Sequence, residues 1–351
     1  MQRSSGMRVL LSDGGRRAGW RMARRCASTA VEHPVSCSSF FSEQVPIIDL
    51  SLPPAQLGAA VHKACTTVGF FHVVNHDISP DLQTRVLDAA RRFFALPLEK
   101  KEALSVANSN SYRGYQRVGV NITKSKLDGH EALDLLSESR RADRHRADGL
   151  TNYGQNQWPN PKDLPDLRPM LEEEYIPQMS QVGNKLLSAA ALGLGLGHDF
   201  FRPYFTDSYW SMRLIQYPAA NADDYEFGCG EHSDYGVFTM ILCDTVQNTL
   251  QIRPKGQADW VTVDPMEGGF ICNIGDMLAR WTNNIYVSTP HRVLRPIGQS
   301  RLSVPFFFDP NYDSLIAPIP ELVEQSGRPA CFEPILYGDH LLGKTSKNFL
   351  V

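Results

Sequence analysis

The sequence predicts a mixed α and β chain: a double-stranded β-helix (jelly roll) core with a helix-rich N-terminal region packed on it. Three observations predict this. Apolar residues recur at helical spacing through much of the first half. After about Trp210, seven short β-prone runs follow one another between turn residues, with little room for helices. At 351 residues and 42% hydrophobic content, the chain can also bury a large core.

Residues 1–42 read as a leader. The first 31 carry seven Arg, no Lys and one acid, Asp13. Against a whole-chain charge of −3, that +6 leaves −9 for the remainder, which offers no electrostatic footprint for nucleic acid. Arg-rich, acid-poor leaders resemble mitochondrial or plastid transit peptides. A disordered tail, or an extension ahead of a true start at Met22, is the plainer alternative. The chain is expected inside the cell, in the cytoplasm or one of those organelles. No run approaches the roughly 20 apolar residues that span a bilayer, so no membrane is expected. Seven cysteines (Cys26, Cys37, Cys65, Cys229, Cys243, Cys272 and Cys331) include no CxxC pair, which argues for free thiols in a reducing compartment.

Residues 43–205 form the N-terminal region. Val45–Leu50 and Phe70–Val74 read as strands. Pro54–Thr67 repeats Leu57, Ala60, Val61 and Cys65 on one helical face, and Pro80–Phe94 does so with Leu82, Val86, Ala89, Ala90 and Phe94. Leu167–Leu196 is a long helical stretch with a Gly-rich exit. Residues 206–325 hold the jelly-roll runs: Met212–Tyr217, Val237–Cys243, Leu250–Arg253, Trp260–Val263, Phe270–Ile274, His291–Leu294 and Leu302–Phe308. Residues 326–351 make a C-terminal helical tail.

The chemistry sits in the β-rich half. In a strand, residues i and i+2 share a face, so His232 and Asp234 of His232-Ser233-Asp234 can share one metal. His291 is the best third ligand. Two His and one carboxylate are the facial triad of non-haem Fe(II) oxygenases and leave coordination positions open. A lone HxD arises by chance, and a lone His is more often structural; conjunction carries the reading. Ten residues beyond His291, Arg301 offers a planar fork for a carboxylate and Ser303 a hydroxyl. Tyr217 could supply a third donor to the same group.

With these motifs in hand, the sequence resembles the 2-oxoglutarate and Fe(II)-dependent dioxygenases of the isopenicillin N synthase-like group, from about Val45 to about Leu342. Val45–Leu50, Gly69-Phe70-Phe71 with Asn75-His76, and Arg113-Gly114-Tyr115 match its N-terminal region. Gln216-Tyr217-Pro218, His232-Ser233-Asp234, Trp281-Thr282-Asn283, Ser288-Thr289-Pro290-His291-Arg292 and Arg301-Leu302-Ser303 match in order and spacing. Ile215 departs from the Asn that many plant members carry there.

The resemblance implies that His232, Asp234 and His291 bind Fe(II), and that Arg301, Ser303 and Tyr217 hold the distal carboxylate of 2-oxoglutarate. It implies a monomeric enzyme that consumes O₂ and oxidises a small organic molecule, most simply by hydroxylation, with succinate and CO₂ as co-products and ascorbate as an optional reductant. A same-fold oxidase that does not use 2-oxoglutarate and a catalytically inactive ligand-binding protein are the alternatives. Substrate contacts are expected from Arg113, Tyr115 and Arg117, read as one face of a strand over Ser111–Val120, and from Phe308 of the aromatic run. Two guanidinium groups beside a ring suit an organic acid. Pairing of those arginines with Glu131 or Asp134 is the structural alternative.

Overall fold

Two helices of the first half form where their apolar faces and caps require. α1 (Pro54–Thr67) starts with Pro at its first position, and α2 (Pro80–Phe94) does the same behind Ser79, whose hydroxyl accepts from the Leu82 amide at 3.1 Å. Asp81 in the first turn and Arg91 and Arg92 in the last favour the α2 dipole. α3 (Leu98–Glu102) is short. A continuous helical run then passes from Leu167–Pro169 through wider π turns at Met170–Tyr175 into α4 (Ile176–Gly193). The computed structural model describes residues 45–124, 126–143, 149, 151–220 and 227–348. The expected leader at residues 1–42, with the targeting reading placed on it, therefore lies outside the described residues.

Strands follow in the order β1 (Ile47–Asp49), β2 (Phe70–Val74), β3 (Gly114–Gln116), β4 (Ile122–Thr123), β5 (Lys126–Leu127) and β6 (Glu131–Leu136). The second half adds β7 (Ser208–Tyr217), β8 (Cys229–His232), β9 (Phe238–Cys243), β10 (Leu250–Ile252), β11 (Val261–Thr262), β12 (Phe270–Ile274), β13 (His291–Val293) and β14 (Arg301–Asn311). An eight-stranded sheet orders them β1-β2-β12-β9-β14-β7-β6-β3, and a four-stranded sheet β11-β10-β13-β8. Strands from both sides of residue 205 thus share one sheet: the N-terminal region extends both of its edges. Two short helices, α5 (Asp276–Trp281) and α6 (Pro320–Ser326), precede the C-terminal α7 (Tyr337–Asn348). No described helix is long and apolar enough to cross a membrane.

The alternating face of each strand decides where its side chains go. On one side of the large sheet, Ile215, Tyr217, Ile241 and Ile271 meet Leu250, Ile252, Val261 and Val293 of the small sheet in a compact apolar cluster. On the other side, Leu302, Val304, Phe306 and Phe308 join the larger core built with α1, α2 and α4. Phe308 fits under α4 only because residue 183 is Gly: a Cβ there would lie 2.4 Å from the ring.

Candidate metal and co-substrate site

β8 ends at His232, whose register partner is His291 at the start of β13, so the two imidazoles face each other with centroids 4.2 Å apart. Each is oriented the same way. His232 Nδ1 lies 2.8 Å from the Gly230 carbonyl and His291 Nδ1 3.1 Å from the Thr289 carbonyl. A carbonyl only accepts, so each Nδ1 carries a proton, and each ring turns its Nε2 toward Asp234. Asp234 lies two residues beyond the end of β8, just before a bend at residues 235–237, so strand alternation is not what brings it alongside His232. Its Oδ1 is 3.8 Å from His232 Nε2 and 3.7 Å from His291 Nε2, while its Oδ2 accepts from the Thr239 hydroxyl at 2.5 Å and from Asn273 Nδ2 at 2.6 Å.

One oxygen is thus fixed, leaving the other to converge with two imidazole nitrogens; the three ligand atoms lie within 4.8 Å of one another. Burial opposes charge on Asp234, yet His291 and His232 hold its carboxyl below the usual range. Burial, reinforced by His232, pushes His291 down to about 4, which keeps it a neutral ligand. This donor set suits a divalent ion such as Fe(II), with coordination positions left open.

The co-substrate candidates lie on the inward face of the large sheet. Arg301 pairs with Tyr217 across β14 and β7, its guanidinium 5.1 Å from the Tyr217 ring centre, and Ser303 follows two residues on. Arg301 is 2% exposed, and its Nε and Nη1 meet no acceptor among the described residues. A buried cation with open donors calls for an anion. Thr239, which holds Asp234, pairs with Phe307 of β14. Arg301 therefore stands six residues back along the strand, about 20 Å at roughly 3.3 Å per residue, a span that two side chains and a short dicarboxylate can bridge.

A cavity of about 180 Å³ opens beside the triad, lined by His232, Asp234, Arg213, Phe307, Asp309 and Leu341, among others. The expected substrate contacts lie elsewhere. Arg113 is fully buried and donates to the carbonyls of Ser111 at 3.0 Å and Ser137 at 2.6 Å; it braces the chain. Arg117 is exposed. Tyr115 is buried with its hydroxyl on Glu131 at 2.7 Å, and Glu131 also takes Lys101. Phe308 faces the helices; Phe307 lines the cavity instead. Counting by twos from Arg301 and Ser303 reaches Phe307 and Asp309, and counting back by twos from Tyr217 reaches Arg213. That signal was present in the sequence. Thr239 and Asn273 had none, because only strand pairing brings them to Asp234.

Three further histidines invite a ligand reading, and two of them have clear structural partners. His76 Nε2 lies 2.9 Å from the Gly268 carbonyl, and His130 sits between Asn121 and the Gly228 carbonyl. The third, His72, is buried on β2.

Two family models match in sequence order: the N-terminal family of non-haem dioxygenases in morphine synthesis over residues 45–161, and the 2OG-Fe(II) oxygenase superfamily over residues 209–310. A homoarginine-6-hydroxylase of Arabidopsis thaliana is 38% identical over 306 residues, covering 84% of this chain and 90% of its own length. A 2-oxoglutarate-Fe(II) type oxidoreductase of Emericella nidulans is 33% identical over 319 residues, covering 87% and 90%. Among solved structures, a full-length Neurospora crassa protein in complex with alpha-KG and thymine aligns with a TM-score of 0.74 at 26% identity, over 86% of this chain and 96% of that one.

Proposed function

The chain belongs to the 2-oxoglutarate and Fe(II)-dependent oxygenase family, and from that premise we propose that it hydroxylates a small amino acid with a basic side chain. His232, Asp234 and His291 hold Fe(II) in this reading; Arg301, Ser303 and Tyr217 hold the distal carboxylate of 2-oxoglutarate. Metal and co-substrate supply the oxidising chemistry, converting O₂ and 2-oxoglutarate to succinate and CO₂ as a substrate C–H becomes C–OH. The residues do the rest. The carbonyls of Gly230 and Thr289 fix both imidazole tautomers, Thr239 and Asn273 fix the carboxylate, and the apolar cluster between the sheets excludes water from Arg301.

The observation that carries the reading is the buried Arg301 with open donors on the same inward face as residues that line the cavity beside the triad. It favours a carboxylate co-substrate over an oxidase that manages without one. Relatives named homoarginine hydroxylases support the basic amino acid.

The test is single replacement of the ligands. His232→Ala, Asp234→Ala and His291→Ala should each lose bound iron and succinate release, yet unfold cooperatively like the parent. Asp234→Glu should also fail, since one methylene shifts the carboxylate beyond the roughly 0.5 Å tolerance of such a site. Parental activity in any Ala variant sinks the assignment.

A further inference from the structure

Arg213 lines the cavity from β7 with its Nε committed to an acid. Its Nε donates to Asp134 Oδ1 at 2.6 Å, while Nη2 is shielded from solvent and meets no acceptor among the described residues. Gln116 donates to the other Asp134 oxygen, so both oxygens of the acid already have a donor and its orientation is fixed. A planar guanidinium held at Nε by an acid, on a side chain that lines the cavity and is 26% exposed, can take a second carboxylate.

The opposite end of the cavity carries an acid, Asp309, whose carboxyl is pushed up to about 7 by burial where no cation is present. Asp309 accepts from the Val237 amide at 2.7 Å and the Tyr337 hydroxyl at 2.6 Å, and no cation accompanies it among the described residues. Two donors leave lone pairs on a carboxylate that has about four acceptor sites. Register sets the separation. Arg213 lies between the pairs Ile215–Ser303 and Met212–Phe306, so Asp309 is about four residues further along β14, or roughly 13 Å of strand. Asp234 stands over Thr239, whose partner is Phe307, between the two ends.

Resting on the dioxygenase reading above, we propose that Arg213 binds the α-carboxylate of the prime substrate and Asp309 its side-chain cation. The substrate then stretches along β14 and presents its aliphatic middle to the triad. The ligand class is a zwitterion with its charges at either end of a short aliphatic chain. Arg213 and Asp309 act as specificity determinants; neither touches the reacting oxygen.

The experiment measures substrate-stimulated succinate release with L-homoarginine, L-arginine and L-lysine, each against its carboxamide, and with norleucine as the uncharged side chain. The parent should prefer each free acid over its carboxamide by roughly 30-fold or more, the scale set by leaving one member of a buried charge pair unmatched. Arg213→Met should erase that preference, and so should Arg213→Lys, which keeps a cation for Asp134 if the Met variant fails to fold. Asp309→Asn should erase the preference for basic side chains over norleucine while keeping the one for acids over amides. Arg117→Met, on the exposed side, should keep both. An unchanged acid-to-amide ratio in Arg213→Lys overturns the carboxylate assignment, and an unchanged basic-to-neutral ratio in Asp309→Asn overturns the cation assignment. Substrate-free 2-oxoglutarate turnover with no stimulation by any compound overturns the substrate class. Absence of succinate release from 2-oxoglutarate both with and without every compound, together with failure to bind Fe(II), sinks the dioxygenase reading instead.

Discussion

The two faces of the large sheet are made by the same strands and have opposite characters. Toward the helices, β14 presents Leu302, Val304, Phe306 and Phe308, all at most 2% exposed and in apolar contact. Toward the small sheet, the same strand presents Arg301, Ser303, Phe307 and Asp309, interleaved one residue apart with the core. β7 repeats the pattern, with Met212 and Leu214 on one side and Arg213 and Tyr217 on the other. The helix face satisfies itself by packing; the inward face keeps donors that none of the described residues accepts. One strand can therefore be rigid and reactive at once, because the packed face over-determines the backbone that aims the polar one.

Substitutions across adjacent positions should separate these roles. The largest effect on stability is expected from Phe308→Ala, which empties space beneath Gly183 and should cost about 3–5 kcal/mol in denaturant unfolding. Its neighbour Phe307→Ala should cost far less stability and act chiefly on turnover; equal losses for the two would break the division. Next comes Arg301→Ala, which should raise the 2-oxoglutarate requirement by about 2–5 kcal/mol, since it strands a carboxylate in a dry site. Ser303→Ala should cost nearer about 1 kcal/mol. Titration of 2-oxoglutarate against succinate release measures both, and a parental response in both would favour the oxidase that does without it. Between those two falls Asn273→Ala, which frees one hold on Asp234 and should weaken iron binding about 10–100-fold. Iron affinity equal to the parent's would mean that Thr239 holds the carboxylate unaided.

Much of this is legible in the sequence alone. The helices at Pro54–Thr67 and Pro80–Phe94 have the bounds that apolar spacing predicts, and the strand Phe70–Val74 likewise. His232, Asp234 and His291 do come together, and Arg301, Ser303 and Tyr217 share one inward face. What escapes are features set by pairing between distant segments. Glu131–Leu136 is buried along its whole length as an inner strand of the large sheet, so it shows no alternation to read. Arg113 resembles a ligand contact because a motif carries its type but not its depth; its partners are main-chain carbonyls, to which composition is blind. Phe308 in place of Phe307 is a parity error of one residue, and in a strand one residue is the whole thickness of the sheet.

Parts of the cavity wall come from α7: Leu341 and Thr345 line it, Tyr337 reaches Asp309, and Lys344 Nζ donates to Asp276 at 3.0 Å. The Asp276 amide in turn donates to the Asp234 carbonyl at 2.7 Å. In order of synthesis, α7 leaves the ribosome after all three metal ligands and after Arg301. The side chains of that centre therefore exist in the nascent chain before this part of the chamber wall does. Until those last turns dock, the centre is open to water and to whatever small molecules are at hand, and the closing of the chamber is also the end of that exposure.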